Sequence, residues 1–189
     1  IKQHNSTEIT AMMNKLTTNH TYFLREPAHY HFLKKVILPE QEKTNRQKDI
    51  RIWSAGCSSG EEAYTAIMVM MDYFGLQKSN WDYRILATDI SSKAMDAAKN
   101  GRYSTESLKN IPEEWKRRYF TAKQGDLFEL NQEVREQVIF RSLNLMETFQ
   151  FHQPFDLIFC RNVMIYFDQP TKNALINKFY DVLKPGGYL

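Results

Sequence analysis

Arg51-Ile52-Trp53-Ser54-Ala55-Gly56-Cys57-Ser58-Ser59-Gly60-Glu61-Glu62-Ala63-Tyr64 is the stretch on which the fold turns. Arg51 to Ala55 reads as a short strand. A helix follows from Gly60 to Phe74, with Gly75 as its C-terminal stop. The glycines between them permit a tight turn and let backbone approach a ligand closely, while small Ser and Cys side chains keep the loop thin. Doubly wound folds bind adenosine-containing cofactors at such a loop. The spacing is G-x-x-x-G rather than G-x-G-x-x-G, so alone it also fits a plain turn.

Outward from the loop, the pattern repeats. Tyr83 to Thr88 reads as a second strand, and Ser91 caps a helix through Lys99 that ends at Asn100-Gly101. A polar stretch holds a short helix at Pro112 to Arg118. Val138 to Leu143 and Phe155 to Cys160 read as third and fourth strands. Gln169 to Leu183 is a helix stopped by Lys184-Pro185-Gly186-Gly187, and Tyr188-Leu189 opens a fifth strand. Strands alternating with helices imply an α/β fold with a doubly wound, mostly parallel sheet. Upstream, Gln41 to Asp49 carries no apolar residue and reads as a linker. Two helices precede it, Thr7 to Leu16 and Pro27 to Leu38, the second ending before Pro39. The expected organisation is an N-terminal helical segment over 1–40, a linker over 41–49, and an α/β domain over 50–189 whose last strands lie beyond Leu189. A start at Ile1 rather than Met fits part of a longer chain.

Composition narrows the function classes. The 189 residues are 42% hydrophobic and 25% charged, with seven Gly and six Pro, which is globular rather than low-complexity. Two cysteines, Cys57 and Cys160, are too few for a disulfide scaffold and read as reduced thiols in a cytoplasmic protein. The longest apolar run, Ala66 to Met71, falls far short of the ~20 residues a membrane span needs, and the opening residues do not read as a secretory leader, so secretion is not expected. The net charge of +3 is spread among interleaved acids, not gathered into the basic stripe of a nucleic-acid binder.

The acidic residues sharpen the loop's meaning. Asp89, in Ala87-Thr88-Asp89-Ile90, ends the second strand, where an anion can bridge a ribose diol. It could instead cap the next helix, but Ser91 serves that role better. Glu61 and Glu62 open the first helix, where they favour the helix dipole. A diphosphate at that helix end would be repelled by them. S-adenosyl-L-methionine (SAM), with an ammonium, a sulfonium and no phosphate, would not. The charges therefore favour SAM over a nicotinamide dinucleotide.

Together these motifs resemble the CheR family of SAM-dependent chemotaxis receptor methyltransferases. The resemblance rests on Leu16-Thr17-Thr18-Asn19 with Thr21 to Glu26, then Ala55 to Tyr64, Ala87 to Ile90, Gly101-Arg102-Tyr103, Phe140 to Leu145, Phe155 to Phe167 and Lys184 to Gly187. Cys160-Arg161-Asn162-Val163-Met164-Ile165-Tyr166-Phe167 is its most specific stretch. The chain departs from the family's pattern at His20, Leu24 and Ala63, which bears on substrate detail more than on chemistry. The resemblance implies a Rossmann-like class I SAM-dependent methyltransferase. It would esterify glutamate side chains on the cytoplasmic helices of methyl-accepting chemotaxis receptors and leave S-adenosyl-L-homocysteine. It also implies that the start of the helical domain, the last sheet strands and a small β subdomain are missing from this chain. By position, Asn19, Thr21 and Arg25 reach across to the cofactor, and Gly56 belongs to its loop. Glu61 meets the methionine end and Asp89 the ribose. Asn144 and Leu145 line the adenine side, Arg161 and Asn162 lie near cofactor and substrate, and Tyr166 stands beside the reacting centre.

The chemistry suits these residue types. A glutamate acceptor is ionised at neutral pH, with a reference pKa of ~4.3, so it needs no general base. What remains is to desolvate it and hold one oxygen in line with the methyl group. Arg25 could hold the second oxygen and Tyr166 orient the acceptor. Arg25 also fits a structural ion pair with Glu26, and Tyr166 also fits core packing beside Val163, Ile165 and Phe167. Cys160 ends an apolar strand with no His evident beside it and reads as core filler. His20, His29 and His31 lack the companions of a metal site. Met68, Met70 and Met71 read as core. Lys34, Lys35, Arg117 and Arg118 read as solvated, or as facing an acidic partner helix. A SAM methyltransferase with another acceptor, or a non-catalytic SAM-binding module of the chemosensory array, also fits the sequence.

Overall fold

The computed structural model describes residues 21–189, without the side chains of residues 77–79. The helix expected at Thr7 to Leu16, together with Asn19 and His20, lies outside the described residues. The main sheet has five strands, β1 (Ile52–Ala55), β2 (Ile85–Asp89), β6 (Val138–Ser142), β7 (Phe155–Phe159) and β8 (Leu183–Tyr188), in the order β6-β2-β1-β7-β8. Every pairing in it is parallel. All residues of β1 and β7 are buried, as befits strands covered on both faces.

Alternate side chains of β1 enter two cores. Ile52 joins one with Ile67, Met68, Met70 and Met71 of α3 (Glu61–Phe74), as the sequence led one to expect for the methionines. Trp53 joins the other with Phe155, Leu175 and Phe179, and its indole N–H donates to Thr88 Oγ1 at 2.9 Å. Phe179 and Leu175 come from α7 (Gln169–Val182), whose first turn is capped by Asp168 accepting from the Thr171 N–H. No helix among the described residues is long and apolar enough to cross a membrane.

Several sequence boundaries hold. Gly75 closes α3 with a positive φ, and Ser91 caps α4 (Ser92–Asn100) by accepting from the Ala94 N–H. Gly101, at φ +62°, ends α4. The expected helix before Pro39 is different. It runs α1 (Ala28–Phe32), a π-helical turn (Leu33–Ile37), then α2 (Leu38–Thr44). The Leu38 N–H reaches back to Leu33 O across the widened turn, and Pro39 follows directly in the first turn of α2. The stretch read as linker from Gln41 is therefore helical through Thr44. The last strand also starts earlier than Tyr188. β8 takes in Leu183 to Tyr188, with a register shift opposite Phe155 and Leu157.

The sequence reading missed a second sheet and expected small β structure only in missing parts of the chain. β3 (Arg102–Ser104), β4 (Phe120–Ala122) and β5 (Leu127–Leu130) form an antiparallel sheet in the order β3-β5-β4, inserted between α4 and β6. Phe23 of the N-terminal segment is fully buried against it, edge-on to Tyr103 at 4.8 Å and Phe120 at 5.4 Å. That contact fixes the segment that carries Tyr22 and Arg25.

Candidate active site: a cofactor pocket at the switch point of the sheet

β2 and β7 flank β1 on opposite sides, so the crevice beyond their C-terminal ends is a topological switch point. A pocket of about 410 Å³ lies there. Its floor is the β1–α3 loop. Gly56 and Cys57 N–H groups both donate to Thr88 O at 2.8 and 2.9 Å, which ties the loop to β2. Gly56 has φ +90°, and a Cβ there would fall 2.4 Å from Val163 Cγ2 on the opposite wall. Gly56→Ala should therefore cost about 2 kcal/mol through overpacking and backbone strain and weaken cofactor binding by displacing Val163. Urea unfolding and calorimetric titration would check both, and wild-type affinity would contradict the close approach.

Asp89 lies at the end of β2, 9% exposed and lining the pocket. Its Oδ2 accepts from the Ser58 N–H at 2.7 Å and its Oδ1 from the Ser91 N–H at 2.9 Å. Each carboxylate oxygen keeps a second lone pair for a ligand. Ser58 holds a left-handed φ of +48°, and its buried Oγ has no partner among the described residues. Opposite, the loop after β6 contributes Leu143, Asn144, Leu145 and Met146.

The two glutamates that open α3 have different surroundings. Glu62, not Glu61, lines the pocket. Adjacent helical residues point about 100° apart, so the two carboxylates leave α3 in different directions. Glu61 is buried and accepts from Ser59 Oγ at 2.7 Å. Glu62 accepts from Ser54 Oγ at 2.8 Å and pairs with Arg161 Nη1 at 3.1 Å. Burial pushes the Glu62 carboxyl above its ordinary range, while Arg161 and Ser54 pull it back.

Arg161 is the junction of the site. Its Nη1 also donates to Tyr30 Oη at 3.1 Å, and its Nη2 donates to Arg25 O at 2.5 Å and faces Glu26 at 3.3 Å. The guanidinium lies 5.4 Å from the Tyr30 ring centre. One side chain thus joins the N-terminal segment to α3 and the strand β7 loop. Thr21, Tyr22, Arg25 and Tyr30 line the pocket from that segment, and Asn162, Val163, Tyr166 and Phe167 from the loop. Asn162 is left-handed at φ +57°, and Leu24 and Glu26 on either side of Arg25 are left-handed too. Such strain gathers at sites that need fixed geometry.

Of the residues expected in the site, Thr21, Arg25, Gly56, Asp89, Asn144, Leu145, Arg161, Asn162 and Tyr166 line the pocket, Glu61 does not, and Asn19 lies outside the described residues. Tyr166 is 64% exposed, so it stands at the mouth rather than in a core. Tyr30 carried no distinguishing sequence signal, and Glu62 was read from the sequence only as one of two acids that open the helix. Burial pushes the Cys160 thiol up to about 12 and the Cys57 thiol well above its usual value, so neither is poised as a nucleophile. Among the described residues, no group of three or more His, Cys, Asp or Glu is placed to hold a metal ion.

The pocket suits SAM. Its volume is of the size that holds a nucleoside-type ligand, two fixed carboxylates face it, and Arg161 is already matched by Glu62 and Glu26. A parallel doubly wound sheet with this pocket at its switch point defines a Rossmann-like, class I SAM-dependent methyltransferase domain. Comparison with known proteins gives the family. Residues 19–189 match the family described as CheR methyltransferase, SAM binding domain, and the chain belongs to it. It is 44% identical to the chemotaxis protein methyltransferase of Borreliella burgdorferi, over 100% of this chain and 68% of that one. It is 39% identical to the protein of that name from Escherichia coli, over 99% and 64% of the two chains. Chemotaxis protein methyltransferase 1 of Pseudomonas aeruginosa is 37% identical over 94% and 66%. The chain thus spans about two thirds of the length of these relatives.

Proposed function

We propose that this chain, in the cytoplasm, transfers the methyl group of SAM to glutamate side chains on the cytoplasmic helices of methyl-accepting chemotaxis receptors. The products are glutamate methyl esters and S-adenosyl-L-homocysteine. The observation that carries the reading is the pair of fixed carboxylates, Asp89 and Glu62, beside the β1–α3 loop in a pocket open at Tyr166. The names of the relatives support chemotaxis as the setting.

SAM, held there, would supply a methyl group on a positive sulfur that can leave with the bonding pair. The protein's work is to position. Asp89 holds the ribose, Glu62 faces the cationic methionine end, and Asn144 and Leu145 border the adenine. Thr21 and Asn162 close the pocket, and Arg161 locks the N-terminal segment in place. Asn19, two residues before Thr21, belongs to the same cofactor-facing segment in this reading. Arg25 steadies the acceptor carboxylate, and Tyr166 orients it from the mouth. None of these groups has to accept a proton, because the acceptor arrives ionised.

The test is methyl transfer from tritiated SAM to a chemoreceptor cytoplasmic fragment, scored as volatile methanol released by mild base. Base-labile label on the fragment is the expected result, since carboxyl esters hydrolyse under conditions that leave N-methyl and ring C-methyl groups intact. Base-stable label would move the reaction to another acceptor. Bound SAM with no transfer, by the chain or by any longer protein that contains it, would reduce the protein to a SAM-binding module.

A further inference from the structure

The pocket wall after β6 is a loop, yet its shape is tightly specified. Asn144 closes it as a turn, with its carbonyl accepting from the Glu147 N–H at 3.0 Å and its Oδ1 from the Met146 N–H at 3.0 Å. At the base, the Leu143 N–H donates to Asp89 O. Three successive carbonyls of this loop converge on one point. Lys178 Nζ, from α7, sits at that point. It donates to Leu145 O at 3.3 Å, Met146 O at 2.9 Å and Glu147 O at 3.0 Å.

An ammonium has three protons, and here all three are used on neighbouring residues of one turn. Three carbonyl dipoles aimed at a common centre repel one another unless a cation occupies it. The lysine's position follows from the helix. Leu175 and Phe179 bury one face of α7 beneath Trp53, which brings the neighbouring Lys178 beside the loop. Its ammonium also lies 5.7 Å from the ring centre of Phe149, which packs on Trp53. Lys178 itself does not line the pocket.

We propose that Lys178 is a positioning residue that holds Leu143–Met146 as the adenine wall of the pocket, and so sets the choice of nucleobase without touching it. The proposal rests on the SAM reading above. The experiment compares wild type, Lys178→Met and Lys178→Arg by calorimetric titration with S-adenosyl-L-homocysteine and with its 6-oxo analogue, S-inosyl-L-homocysteine. Thermal midpoints are measured without ligand. Methionine keeps the aliphatic stem against Phe149, so the fold is retained while the charge is lost.

Lys178→Met is expected to bind S-adenosyl-L-homocysteine about tenfold more weakly and to lose most of the preference for it over the inosyl analogue. Its thermal midpoint should stay within a few degrees of wild type. Arginine, which also presents several donors, should restore the preference. A Lys178→Met protein with wild-type affinity and preference overturns the positioning role alone. So does one whose preference is intact while affinity and midpoint fall together, because that is a role in folding. A wild-type chain that binds neither nucleoside overturns the SAM reading, and this proposal with it.

Discussion

Replacing Arg161 with methionine is expected to lower stability by about 3–5 kcal/mol, the range for removing one partner of a buried ion pair, and to abolish methyl transfer. The side chains of Arg161 and Glu62 are only 11% and 12% exposed. Without the guanidinium, Glu62 is left in the interior with a single neutral donor, Ser54. Tyr30 Oη and Arg25 O each lose a hydrogen bond in the same change, Tyr30 keeping Thr65. Because those two groups belong to the N-terminal segment, its hold on the pocket loosens, and with it the placement of Arg25. Protease cleavage near residues 21–30 should accelerate in the variant well below its global unfolding midpoint.

Glu62 also makes the deficit depend on pH. Its carboxyl is raised by burial in the native protein, and losing Arg161 removes a group that holds it down. A native-state pKa above the unfolded value means stability is fully present below the unfolded pKa and is lost as pH rises through the native pKa. The gap between variant and wild type should therefore be largest at neutral pH and shrink as pH falls and Glu62 takes up a proton. Replacing both partners, Arg161→Met with Glu62→Gln, should recover much of the stability, since a neutral pair carries no desolvated charge. Urea unfolding of the four proteins measures the coupling directly. Additive losses would mean that the two side chains do not act as a pair.

The same pair shows where sequence reasoning stops. β1, β2 and β7 were legible because parallel strands buried on both faces read as short apolar runs followed by turn residues. β3, β4 and β5 were not, because each is three or four residues long and buries few side chains, chiefly Tyr103, Phe120 and Leu130. Asp89 was legible because its place after β2 follows from topology. Glu62 was not, because the choice between two adjacent helical acids depends on which one meets a cation 99 residues away. Tyr30 was hidden for a related reason. On its own helix it belongs to the buried face with Leu33 and Ile37, and only the tertiary fold sets Arg161 against its hydroxyl.

Asp89→Ala is expected to weaken SAM binding by about 100-fold, equivalent to roughly 3 kcal/mol for two hydrogen bonds to a charged acceptor. The carboxylate acts twice. Toward the ligand, it offers the remaining lone pairs to the two ribose hydroxyls. Toward the protein, it accepts the Ser58 and Ser91 N–H groups and so holds Ser58 in its left-handed conformation at the pocket floor. Asparagine impairs both duties. It keeps the size and one acceptor oxygen, but its amide would set a donor against a backbone N–H, so Asp89→Asn should lose nearly as much affinity as alanine. Titration with S-adenosyl-L-homocysteine and its 2′-deoxy analogue isolates the contact to the sugar. Wild type should discriminate between them strongly and Asp89→Ala hardly at all. Equal discrimination by both proteins would confine Asp89 to holding the loop, and unchanged affinity for SAM would remove it from the site altogether.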